Sequence, residues 1–175
     1  MVSRNVPSGA PAVYARAWLL TLCLFLSACA TQLAPDYDEA LLDGLNDASA
    51  EVMTLFASAS GGTSANTFPA REDRYNNLIG RLDAMVIAAG ARPVPQNRVT
   101  DTINRLLEAR GHQVLEDDDS TPPSAHAIQR VSETLVKMRD TDKRQGVTAL
   151  EVQAFRGQAV IYLDQAITYE NFLQR

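Results

Sequence analysis

TALEVQAFRGQAVIYLDQAITYENFL, residues 148–173, is the stretch that decides the fold. Thr148-Ala149-Leu150-Glu151 has the form of a capping box, in which the threonine hydroxyl accepts from the third helical N–H and the glutamate reaches back to the cap's own N–H. Behind it, Phe155, Ala159, Val160, Ile161, Tyr162, Leu163, Ala166 and Ile167 spread over most of a helix's circumference. A helix that is apolar on most sides is usually buried by several neighbours. The C-terminal helix is therefore expected at the centre of a bundle.

The segments before it supply those neighbours. Asp36-Tyr37-Asp38-Glu39, directly after Pro35, has the Asp-x-x-Glu form of a helix start. Leu41, Leu45, Ala48, Val52, Leu55 and Ala59 then recur at steps of four and three, and Gly61-Gly62 stops the run. A second helix is predicted from Thr67-Phe68-Pro69, with proline in the first turn where its missing N–H costs nothing. Its apolar face is Tyr75, Leu78, Leu82, Met85 and Ala89, closed by Gly90 and Pro93. Asn97 can cap a shorter helix carrying Val99, Ile103, Leu106 and Leu107, stopped at Gly111. The segment from His112 to Pro123 reads as a loop, and a fourth long helix follows it with Ile128, Val131, Leu135 and Met138 inward and Gly146 at its end. No strand-like alternation of useful length occurs. The expected fold is all-α: a mainly antiparallel bundle of four long helices plus one short helix over residues 36–175, the C-terminal helix central.

Ahead of the bundle lies a segment of another kind. Residues 1–16 contain Arg4 and Arg16 and no acid, and Ala17 to Leu26 form an uncharged apolar run. Leu26-Ser27-Ala28-Cys29 closes it. A basic start, a short apolar core and small residues describe an export signal, too short for a spanning helix of roughly 20 apolar residues. The tetrapeptide resembles a lipobox, and the chain resembles the small helical lipoproteins of Gram-negative bacteria. That resemblance implies that residues 1–28 are a cleaved lipoprotein signal peptide. It also implies that Cys29 carries a diacylglycerol and that the new amino terminus takes a third acyl chain. Ala30 rather than aspartate follows the cysteine, which in this class implies the outer membrane, with the domain facing the periplasm. Cysteine usage agrees: of the two cysteines, Cys23 leaves with the signal and Cys29 remains as the one thiol, whose acylation keeps it from being a liability in an oxidising compartment. Two or more acyl chains anchor stably where one binds only marginally. Residues 29–35 form the lipidated tether, and 30–35 reach at most roughly 20 Å.

Composition bounds the chemistry. Loss of Arg4 and Arg16 leaves 14 basic against 21 acidic residues, a net charge of −7. Such a domain lacks the electrostatic footprint of a nucleic-acid binder. After Cys29 the only histidines are His112 and His126, so the ligand sets of zinc, haem and ferritin-like di-iron sites are missing, and no metal or cofactor site is expected. Glu116-Asp117-Asp118-Asp119 lacks the alternating ligands and glycine of a calcium loop and reads as a solvated acidic run. Met53, Met85 and Met138 lie on apolar stripes as core filling. Ser58-Ala59-Ser60-Gly61-Gly62 resembles a helix end more than a nucleophile elbow, and no Gly-Lys-Ser/Thr follows the glycines. No catalytic residue is assigned.

Two polar clusters stand out: Arg71-Glu72-Asp73-Arg74-Tyr75-Asn76-Asn77 and Arg139-Asp140-Thr141-Asp142-Lys143-Arg144. They read either as a charged recognition surface or, preferably, as solvated helix ends with local ion pairs worth a few tenths of a kcal/mol. Tyr37, Tyr162 and Tyr169 read as core-edge tyrosines rather than an exposed aromatic patch. The functional expectation is a lipid-anchored, non-catalytic envelope protein with an envelope protein partner. A helical module that holds a small or amphipathic ligand is the alternative, and a periplasmic hydrolase comes third.

Overall fold

The computed structural model describes residues 35–94, 97–111, 114 and 121–174. Five α-helices make the architecture: α1 (Glu39–Ala59), α2 (Pro69–Gly90), α3 (Asn97–Ala109), α4 (Pro123–Gln145) and α5 (Ala149–Leu173), with a 3₁₀ turn at Ala65–Thr67. No strand occurs among the described residues. The fold is the all-α bundle that the apolar periodicity predicts. None of these helices is long and apolar enough to cross a membrane. Cys29 and the tether up to Ala34 lie outside the described residues, as do His112 and Glu116–Asp119.

The four long helices form a closed ring in which α1 packs on α2, α2 on α4, α4 on α5, and α5 back on α1. Side-chain pairs fix the directions. Along α2 and α4, Arg71 meets Asp142, Asn76 meets Arg139 and Asp83 meets Ser132, so the two helices run antiparallel. The short links 60–68 and 146–148 make α1–α2 and α4–α5 antiparallel hairpins. Inside the ring lie Leu45, Val52, Leu55 and Phe56 of α1, Tyr75, Leu78 and Leu82 of α2, Ile128, Val131, Leu135 and Met138 of α4, and Val152, Ala159, Leu163 and Ala166 of α5. Met53 and Met85 pack on the margin of the same core.

The C-terminal helix is central in a narrower sense than its sequence suggests. It packs on α1, α4 and α3. It is nonetheless one wall of the ring. Leu150 is 76% exposed and Val160 38%. Its C-terminal end buries apolar side chains against a further neighbour. There Tyr169, Phe172 and Leu173 leave the main core and meet Ile103 and Leu107 of α3, which form a second, smaller cluster. The excursion that carries α3 thus returns onto α5, tied by Arg110 donating to Thr168 Oγ1 (3.3 Å) and Gln165 Nε2 donating to the Val114 carbonyl (3.1 Å).

The helix starts follow local chemistry. Thr148 and Glu151 make the reciprocal box: Glu151 N donates to Thr148 Oγ1 (3.2 Å) and Thr148 N to Glu151 Oε2 (2.8 Å). At α1 the cap is Asp38, whose Oδ1 accepts from Leu41 N at 3.1 Å, and not Asp36. The chain is still extended at Asp38 (φ −121°, ψ 100°), which sets its carboxylate over the first turn and puts Glu39 at the first helical position rather than the third. The side chain of Asn97, expected to cap α3, lies outside the described residues.

Candidate functional site

The most elaborately built part of the molecule is the end where both short links turn. Gly61-Gly62 closes α1, and the chain crosses to α2 through the 3₁₀ turn. There it meets the α4–α5 link. Thr63 N donates to the Val147 carbonyl (2.7 Å), and Val147 N donates back to Thr63 Oγ1 (3.0 Å). Gly146 makes this approach possible: its φ is +81°, and a Cβ there would lie 2.4 Å from the Thr63 carbonyl oxygen.

Asp142, fully buried, sits beneath the two links. Arg71 grips it in the bidentate manner, NH2 to Oδ1 at 2.8 Å and Nε to Oδ2 at 2.9 Å. Thr63 Oγ1 donates to Oδ1 at 2.5 Å and Tyr75 Oη to Oδ2 at 3.3 Å. Burial alone would raise this carboxyl's pKa. The Arg71 and Thr63 hydrogen bonds and the guanidinium charge outweigh it and hold Asp142 below the usual carboxylate range. The same network pushes Tyr75 up, through burial first and the neighbouring carboxylate second. Arg71 NH1 also donates to the Thr67 carbonyl (3.2 Å) and hydroxyl (3.0 Å), so this one guanidinium fastens the start of α2 to the end of α4.

The two charged clusters singled out in the sequence therefore face each other. Besides Arg71 and Asp142, Lys143 Nζ pairs with Glu72 (3.0 Å) and Arg139 NH1 donates to Asn76 (3.3 Å). Lys143 Nζ also stands 5.5 Å from the Phe68 ring centroid. The clusters hold ties across an interhelical seam, with two members, Tyr75 and Asp142, wholly buried. The expected reading as solvated ends with local pairs missed this because their partners are about seventy positions apart in the chain. Outside the knot, Ser58, Thr63, Ser64, Thr67, Arg71 and Thr148 border an open depression of about 770 Å³. Its walls are mostly hydroxyls, backbone and glycine, with Arg71, Gln145 and Glu151 at the rim, Arg71 committed to Asp142 and Glu151 to its capping box. With four donors on Asp142, no carboxylate oxygen is left to take a proton from a substrate.

The opposite end carries a second buried carboxylate, Glu170. Arg92, just past the end of α2, donates to it through NH2 (2.5 Å) and NH1 (3.0 Å), and NH2 also reaches Ser124 Oγ (3.2 Å). Here the network is incomplete. Arg92 Nε and Tyr169 Oη are buried without a hydrogen-bond partner among the described residues. Burial pushes the Tyr169 phenol up.

The remaining candidates are scattered. His126 is half-buried in the first turn of α4, and Met138 lies in the core. Ser58 and Ser60 donate back to the carbonyls of Leu55 (2.7 Å) and Ala57 (2.8 Å), as helix-end hydroxyls do. Tyr169 is buried while Tyr37 and Tyr162 are half-buried, and Tyr162 lies under the Arg130 guanidinium at 5.4 Å. Among the described residues no three histidine, cysteine or acidic side chains are grouped to hold a metal ion. Sequence reasoning passed over Thr63, Arg92, Ser124 and Glu170. Glu170 left a trace, the one acid among the residues from Ile167 to Leu173 of a helix otherwise rich in apolar side chains, whereas Thr63 sits in a polar link and left none. The chain matches no protein-family model, no curated protein and no solved structure.

Proposed function

We propose that this chain is a lipid-anchored protein of the Gram-negative cell envelope, held at the outer membrane by acyl chains on Cys29, and that it acts through contact with an envelope protein rather than through catalysis. The observation that carries the reading is how the buried charges are used. Among the described residues, Asp142 and Glu170 are the carboxylates with fully buried side chains in salt bridges, and each faces an arginine and serves to tie helices together. A catalytic acid or base needs a perturbed group with a free face toward a substrate.

The surface supports a macromolecular partner over a small ligand. The depressions bordered by described residues at the turn end and between α1 and α5 are open troughs, where a small molecule needs a concave site that covers most of its surface. The polarity of the bundle suits an anchored protein as well. The chain enters α1 at one end, and the 21 residues of α1 carry it about 31 Å to the other. With a tether of at most roughly 20 Å, the turn end with its locked links faces away from the bilayer.

Intact-mass measurement of membrane-extracted protein, beside crosslink capture in cells with wild type and Cys29→Ser, tests the reading. The expected mass is residues 29–175 plus acyl chains, with crosslinked partners lost in the variant. An unacylated mass would sink the address. Acylation with no captured partner would transfer the case to the ligand-binding alternative.

A further inference from the structure

Charge is unevenly divided along the bundle. The turn end, residues 60–75 and 137–156, holds seven basic against five acidic residues, whereas the rest of the chain after residue 28 holds seven against sixteen. Several of the turn-end charges are spent on one another: Arg71 on Asp142, Arg139 on Asp140 (2.9 Å) and Lys143 on Glu72 (3.0 Å). Lys137 and Arg144 are not. Both are exposed, and among the described residues no carboxylate pairs with either; Arg144 Nε donates to the Asp140 carbonyl at 3.2 Å. Glu133, one turn before Lys137, is taken by Arg130 at 3.0 Å. Lys137, Thr141 and Arg144 recur at steps of four and three on one face of α4 and border an open depression of about 480 Å³. The helix dipole accounts for cations in the last turn alone. Arg144 lies there, but Lys137 lies two turns further in.

We propose that this stripe of α4 is the contact face for the partner, and that the partner meets it with an acidic segment of protein. The inference rests on the reading of the chain as an anchored protein that acts through a protein partner, and gives that contact a place and a chemistry. Charge complementarity selects the occupant. An acidic segment is repelled by the body of a domain of net charge −7 and attracted at its one basic pole. Range decides whether that pole is felt. Asp47 lies twelve residues in from the end of α1, about 18 Å along the axis, more than twice the Debye length of about 8 Å at physiological ionic strength. Glu51, which is nearer, is paired with Arg81. Lys137 and Arg144 stand about 10 Å apart along α4, the span of two carboxylates three residues apart in an extended strand. The Asp142 knot fixes the helix end that carries them, so little ordering has to be paid on binding. On the tether argument this end points away from the bilayer, where a partner can reach it.

Fluorescence anisotropy of a labelled oligoglutamate peptide, titrated with the full chain in neutral detergent, tests this. Wild type is expected to bind at low salt and to release the peptide as salt rises. Lys137→Glu with Arg144→Glu should weaken binding roughly tenfold or more. Arg98→Glu with Arg105→Glu makes the same change of charge on α3 and should leave binding nearly unchanged. A carbodiimide supplies a second readout that needs no charge reversal. It joins a lysine amine to a glutamate carboxyl as an amide, the water being taken up by the reagent, and Lys137 and Lys143 are the only lysines of the chain. The crosslink should map to Lys137, and Lys137→Arg should lose it while keeping the affinity. Absence of peptide binding to wild type, or of a Lys137 crosslink in the bound complex, would overturn the proposal. So would an equal loss in the α3 variant, which would reduce the effect to net charge. Isolated peptidoglycan, which carries carboxylates on a glycan, is the competing probe. Its retention by wild type and not by the Lys137→Glu, Arg144→Glu variant would give the face to the cell wall and overturn the protein partner. Intact mass of the same samples reads acylation separately. An unacylated chain that binds the peptide loses only the address, and an acylated chain that does not bind it loses only the face.

Discussion

Asp142 and Glu170 are both buried carboxylates gripped by two nitrogens of an arginine, yet they sit in differently finished surroundings. Around Asp142 each oxygen accepts from two donors, drawn from α2 and the link after α1. Around Glu170 Arg92 donates through two nitrogens, and two buried donors nearby, Arg92 Nε and Tyr169 Oη, find no partner among the described residues. A satisfied buried network rigidifies its surroundings, whereas a half-satisfied one costs about as much as it returns. The turn end is thus built as a fixed platform. The end where the chain enters, over which α3 packs, is the more easily opened part of the fold.

The sharpest way to break this contrast is to remove each carboxylate. Asp142→Ala strips Thr63, Tyr75 and a mostly buried guanidinium of the acceptor they share, and should cost about 3–5 kcal/mol in urea unfolding, the usual loss on breaking a buried pair. Glu170→Ala breaks a buried pair as well but strands no threonine or tyrosine donor, and should fall at the low end of that range, about 3 kcal/mol. Equal losses would end the distinction. Acid sharpens it further. Because the folded pKa of Asp142 is depressed, its contribution is present above an unfolded value of about 3.9 and is lost as pH falls through the lower folded value. Wild type should therefore lose stability more steeply than Asp142→Asn below about pH 4, and the two should run parallel at neutral pH.

An effect of comparable size is expected from two glycines of positive φ, one at each end. Gly146→Ala must place a Cβ 2.4 Å from the Thr63 carbonyl oxygen, whereas at Gly111 nothing lies within 4 Å of the new atom. For the backbone conformation Gly111→Ala pays about 1–2 kcal/mol, and Gly146→Ala, at a ψ of 172° in a region essentially restricted to glycine, about 1–3 kcal/mol. Gly146→Ala adds roughly 1–3 kcal/mol of steric strain. Thermal unfolding of the two variants separates the terms, and similar midpoints would show that the contact of the two links is not rigid.

How much of this was legible in the sequence depends on range. Apolar stripes such as Leu41, Leu45, Ala48 and Val52, or Ile128, Val131 and Leu135, place the helices, because helical period is local information. The Thr148–Glu151 box was readable for the same reason, and the shift of the α1 cap from Asp36 to Asp38 lies within the usual uncertainty of helix ends. The geometry of α5 was only partly readable. Composition announced an unusual helix, but not that its apolar surface divides among the core, α3 and an open face. The Asp142 knot was least accessible. Arg71 and Asp142 were each noticed, but a pairing across α2 and α4 follows from tertiary register, which one sequence does not carry.

Two tyrosines provide the finest test, because here the two ends should respond with opposite sign. Both are fully buried, and phenylalanine keeps the ring of each while removing only the hydroxyl. At Tyr75 that hydroxyl donates to Asp142 Oδ2, so Tyr75→Phe should lose about 0.5–1.5 kcal/mol, the net value of one hydrogen bond. At Tyr169 it has no partner among the described residues, and an unsatisfied buried hydroxyl carries a penalty of about 1–3 kcal/mol that Tyr169→Phe relieves. Tyr169→Phe should therefore unfold at equal or higher urea than wild type, and Tyr75→Phe at lower. Amide exchange in α3 gives the same comparison a second readout. If the buried hydroxyl works against the seating of Ile103 and Leu107 on α5, its removal should slow exchange in α3 and leave the turn end unchanged. A destabilised Tyr169→Phe would mean that this hydroxyl is satisfied in solution, and that both ends are equally well built.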